Sequence, residues 1–142
     1  MELLRKARTA PGRLAAGAYI LHSGLEKWDG GEEQAAGTHG MAAGAFPFLR
    51  SVPPRTFLRL LAATEIATGA ALLAPFVPGA LAGAALTGFS SGLVALYLRT
   101  PALRKPGSVW PTPEGIGVSK DVWLLAIGLG LLADAAAERR EH

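Results

Sequence analysis

The chain has 142 residues, half of them hydrophobic and 18% charged, with a formal net charge of +3. Its mean hydropathy is +0.30 and its pI about 9.7. This length argues for one domain, and the composition excludes a disordered, highly charged chain. The absence of cysteine excludes a disulfide framework, a CxxC redox pair, a thiolate metal site and a cysteine nucleophile. The mild basic excess comes without a basic stripe interleaved with aromatics, so no nucleic-acid partner is expected.

In chain order, Arg5, Lys6 and Arg8 precede an apolar stretch, Leu14 to Leu25, that ends in Glu26, Lys27 and Trp28. No small-residue cleavage site follows, so the stretch reads as a first helix over about residues 12–27. A loop is expected over about 28–55. It is rich in Gly and Ala, and its Phe46-Pro47-Phe48-Leu49 suits a short interfacial helix or re-entrant stretch. The second helix is expected over about 56–77, with Arg59 near its start and Glu65 inside. Pro75, Pro78 and Gly79 then form a tight turn into the third helix, about 79–99, so the second and third helices are antiparallel neighbours.

The run Val77 to Leu98 holds no charged residue. At 1.5 Å per residue it spans roughly 33 Å, against a bilayer core of about 30 Å. A proline-containing loop over about 100–118 leads to a fourth helix over about 119–138. The fold class is therefore all-α: an integral membrane four-helix bundle, 1–142 as one membrane domain, with both termini on the same side. The basic cluster ahead of the first helix favours both termini in the cytoplasm, and the expected location is a bacterial plasma membrane. Trp28, Trp110 and Trp123 fall near the opposite boundary, as in an aromatic belt.

Between lipid-exposed helices, small residues permit close backbone contact. The third helix carries two such stripes, one through Gly79, Gly83 and Thr87 and an adjacent one through Gly88 and Gly92. They read as bundle packing or as a dimer interface, and replacing Gly88 by Leu is expected to disrupt that packing.

Charges inside a membrane are costly and face protein or water. Tyr19, His22 and Glu26 share one face of the first helix. Ser119 is placed to cap the fourth, with Lys120 and Asp121 in its first turn. Antiparallel spans gather Glu26, Lys27, Lys120 and Asp121 at one mouth, with His22 a turn deeper and Glu65 facing it. This cluster reads as a polar site for a head group or proton relay, or as ion pairs that pin the helices. Metal ligation is not expected, because no second histidine stands at ligand spacing from His22.

These motifs resemble the DoxX-like family of small membrane proteins. The resemblance rests on Leu21-His22-Ser23-Gly24-Leu25-Glu26-Lys27, on Glu65-Ile66-Ala67-Thr68-Gly69 and on Ser119-Lys120-Asp121-Val122, in that order along most of the chain. It implies a four-helix membrane protein associated with quinone-linked redox complexes. The family's recurring positions fall on Gly24, Lys27, Glu65, Lys120 and Asp121. A polar residue or histidine late in the family's third helix has only Tyr97 and Arg99 as counterparts here. The function this implies is an accessory subunit of a membrane redox complex, with quinone as ligand. Glu65, His22 and Lys120 are then expected near the quinone's polar head, and membrane lipid and redox proteins or a second copy are the expected partners. The alternatives are a small proton-coupled carrier or a non-catalytic membrane scaffold.

Overall fold

The computed structural model describes residues 2–141, and the side chains of residues 3–140. Among them the chain is helical, with one isolated β-bridge between Arg104 and Pro111. The helices are α1 (Glu2–Trp28), α2 (Glu32–Ala45), α3 (Pro54–Leu73), α4 (Gly79–Arg99), the short α5 (Ile116–Ser119) and α6 (Asp121–Glu141), with 3-10 turns at Pro47–Ser51 and Pro101–Leu103.

Three helical stretches are long and apolar enough to cross a membrane: Pro54–Leu73, Gly79–Arg99 and Ile116–Arg140. Little of this apolar surface is used internally. Only 33% of the apolar window in α3 and in α4 is buried, and 11% of that in α6. The first helix is not among the three. It starts at Glu2, ten residues earlier than its expected start at 12, and its basic N-terminal turns are part of the helix. Its uncharged stretch between Arg13 and Glu26 is about 12 residues, roughly 18 Å, short of a bilayer core.

The inward face of α3 follows a 4-3-4-3 spacing: Leu58, Ala62, Glu65, Gly69 and Leu72 are all buried. Such a stripe lies along one side of a helix and seats it against a partner. That partner is α1, which runs antiparallel. A Cβ added at Gly69 would lie 2.7 Å from the Leu21 nitrogen and 2.9 Å from the Gly17 carbonyl oxygen, so the two backbones touch there. The second close pair is α4 with α6, where a Cβ at Gly83 would lie 2.8 Å from Leu131 Cβ.

Across the pairs, Arg8 bonds Asp134 and Arg5 pairs with Glu138, joining the first turns of α1 to the last turns of α6. Ala16, Ile20, Leu72, Ala82, Leu86 and Leu131 form one buried cluster fed by α1, α3, α4 and α6. Of the expected packing glycines, only Gly83 makes such a contact. Cβ atoms at Gly79, Gly88 and Gly92 would meet nothing within 4 Å, so α4 turns its Gly83 side to α6 and leaves Gly88 outside.

The expected loop over 28–55 contains α2. Three of this helix's 14 residues are glycine, at about 1 kcal/mol each relative to Ala in a helix interior, which hides it from a propensity reading. Packing holds it instead. Ala35, Ala42, Ala43 and Ala45 are buried, and His39 Nε2 lies 2.8 Å from the Leu49 carbonyl oxygen. The Arg99 guanidinium stacks 5.0 Å above the Phe46 ring and reaches the Ala45 carbonyl. In the second loop, Gly107 takes φ +67°, a left-handed turn suited to glycine. The Tyr97 hydroxyl donates to the Val109 carbonyl at 2.6 Å and ties this loop to α4.

Candidate functional site

The inward face of α1 repeats the pattern of α3: Arg13, Gly17, Ile20, Gly24 and Lys27, at spacings of four and three. The small Gly24 lets α1 approach Ala62 and Ile66, which brings the Lys27 side chain over the buried Glu65. Lys27 Nζ lies 3.1 Å from Glu65 Oε1 and 3.2 Å from Oε2, and it donates to Ser23 Oγ at 2.5 Å. The Glu65 side chain is 5% exposed and that of Lys27 21%. A bidentate, hydrogen-bonded ammonium offsets the cost of burying the carboxylate.

This pair forms part of the wall of a cavity of about 480 Å³. Asp121, at the start of α6, lines the same cavity and interacts electrostatically with Glu65 and Lys27. The remaining wall is largely apolar: Phe57 and Leu61 from α3, Phe89, Leu93 and Leu96 from α4, and Leu124 from α6. Met41 and Ala42 of α2, with Phe46 and Leu49 beyond it, close one side. A largely apolar cleft with a few converging polar groups is the usual form of a small-molecule site.

Three of the expected site residues therefore converge: Lys27, Glu65 and Asp121. The other three stand apart. Tyr19, His22 and Glu26 share a helical face, but it is the outer one; Tyr19, though 81% exposed, also borders the cavity. His22 and Glu26 pair with each other at 3.4 Å, with side chains 73% and 69% exposed. The expectation that His22 faces Glu65 is corrected, because residue 27 rather than 26 lies on the α3 side of α1. Lys120 is exposed and lies 5.9 Å from the Trp123 ring. Ser119 does not cap α6: it belongs to α5, and its hydroxyl donates to the Ile116 carbonyl. No group of three His, Asp or Glu placed for a metal occurs among the described residues.

Arg13, which the sequence reading passed over, sits at the opposite end of the α1 seam. Its guanidinium donates to the carbonyls of Leu72, Val77, Ala71 and Ala74 at 2.8–3.0 Å. Those of Ala71 and Leu72 are orphan acceptors of the α3 C-terminus, and those of Ala74 and Val77 belong to the turn after it, where Ala74 also accepts the Val77 N–H. An arginine on the same 4-3-4 seam as Gly17, Ile20 and Gly24 was the signal for this role.

Comparison of the chain with protein-family models, with curated proteins and with solved structures finds no match.

Proposed function

We propose that this chain is an integral membrane protein of the DoxX-like kind, with α1, α3, α4 and α6 as its four spans and both termini on the cytoplasmic face of a bacterial plasma membrane. It serves as an accessory subunit of a quinone-linked redox complex. The observation that carries the ligand assignment is the cavity of about 480 Å³, largely apolar and bearing the Lys27–Glu65 pair with Asp121 on its wall. A quinone has this division of character, with a polar ring head on an apolar body. The volume lies within the range of roughly 300–1,000 Å³ usual for small-molecule pockets.

The chain's own residues bind and orient. Phe57, Phe89 and Leu93 supply apolar contact for a ring and tail, α2 covers the cavity, and the charged groups fix the head. The membrane assignment draws on the three apolar, mostly unburied stretches. Arg13, bonded to the carbonyls that end α3, lets α1 enter the membrane at the level where α3 leaves it. Electron transfer is the quinone's chemistry, and a partner protein supplies or takes the electrons.

Mass spectrometry of the protein extracted gently from native membranes tests this reading. Bound quinone and a co-purifying oxidoreductase, both above a mock purification, are the expected result. Reproducible recovery of the protein free of both overturns it.

A further inference from the structure

We propose that the cavity selects the hydroxyl-bearing, reduced form of its ligand, a quinol over the quinone, and that Asp121 makes the selection. The inference rests on the quinone reading above and deepens it.

The Lys27 ammonium has three N–H bonds; it donates to Ser23 Oγ at 2.5 Å and to Glu65 Oε2 at 3.2 Å, with Glu65 Oε1 in the same ion pair at 3.1 Å. The remaining N–H serves a carbonyl or a hydroxyl oxygen of the ligand alike. Both Glu65 oxygens lie within ion-pair distance of Lys27. The Asp121 carboxylate lines the same cavity, and among the described residues it has no hydrogen-bond or ion-pair partner.

The hydroxyls of Tyr19, Ser23 and Thr38, also on the wall, both donate and accept, so they do not discriminate between ligand forms. The charged groups decide. One lysine against two carboxylates leaves an excess negative charge beside an apolar volume. A quinone presents only carbonyl acceptors to that charge and gains nothing from it. A quinol presents O–H donors, and an O–H bond to a carboxylate is charge-assisted, roughly twice as strong as a neutral one. The apolar wall favours this neutral donor over a cation, which would have to shed its hydration to enter.

The test measures binding of a short-tailed benzoquinone and of its quinol to the detergent-purified protein, by equilibrium dialysis without oxygen. The quinol is expected to bind at least about tenfold tighter, equivalent to about 1.4 kcal/mol and to a rise of about 30 mV in the midpoint potential of the bound couple. Asp121→Asn is expected to abolish the preference, because the amide also offers a donor, while Lys120→Gln retains it. Equal binding of the two forms by the wild type, or tighter binding of the quinone, overturns the inference and leaves the quinone reading standing. A folded Asp121→Asn variant that keeps the preference also overturns the role of Asp121. Binding of neither form overturns the quinone reading and this inference together.

Discussion

Lys27 and Glu65 lie 38 residues apart in the chain and are joined by a bidentate ion pair, with the Glu65 side chain 5% exposed. Removing one partner of a buried pair leaves the other charge without compensation, at about 3–5 kcal/mol. Glu65→Gln and Lys27→Met are each expected to lower stability in detergent by about 3 kcal/mol. The double variant should lose much less than the sum of the two. Denaturant titration of all four forms measures the coupling, and additive losses would show that the pair contributes nothing as a pair.

Small residues on α3 and α4 do not all do the same work, and this separates two substitutions that look alike on paper. A side chain at Gly69 of α3 meets the α1 backbone within 3 Å, whereas one at Gly88 of α4 meets open space. Gly69→Val is expected to force α1 and α3 apart and to cost about 3 kcal/mol or more, above the usual range for overpacking because the obstacle is backbone. Gly88→Leu is expected to leave thermal stability within about 0.5 kcal/mol, as for a surface position. Comparable melting shifts for the two would contradict the geometry.

How much of this was legible beforehand differs by element. The uncharged run of α4 and the proline turn ahead of it declare themselves, because length and lack of charge are properties of the chain alone. Lys27, Glu65 and Asp121 were legible as residues that a membrane does not tolerate idle. Their grouping was legible only coarsely. Glu26 and Lys27 are adjacent, one helical step of about 100° apart, and polarity alone does not say which of them turns inward. Gly24 decides it by drawing α1 against Ala62 and Ile66. The helix α2 was not legible, since its glycines argue against helix, and what holds it is tertiary: buried alanines, His39 on Leu49 and Arg99 at its end.

Arg13 supplies a third expectation. Its guanidinium spans carbonyls from Ala71 to Val77, a reach that depends on a planar fork of donors. Arg13→Met strands those carbonyls and should cost on the order of 2–3 kcal/mol, the scale of hydrogen bonds to a charged group. Arg13→Lys should recover less than half of it, because an ammonium is a compact donor without the fork. Full recovery by lysine would mean that charge alone matters at this end of α3.

The chain's lack of cysteine makes its topology directly measurable. Lys105 lies exposed in the connection between α4 and α6, and Arg140 lies exposed near the end of α6. If α1, α3, α4 and α6 are the spans, these two positions are on opposite faces of the membrane. The four arginines and lysines Arg5, Lys6, Arg8 and Arg13 precede the first span and favour the cytoplasmic face for the termini. In spheroplasts, Lys105→Cys is therefore expected to react with a membrane-impermeant maleimide at once, and Arg140→Cys only after permeabilisation. The reverse pattern would invert the orientation and keep α6 as a span. Labelling of both in intact cells would show that α6, the one long helix between the two positions, does not cross the membrane.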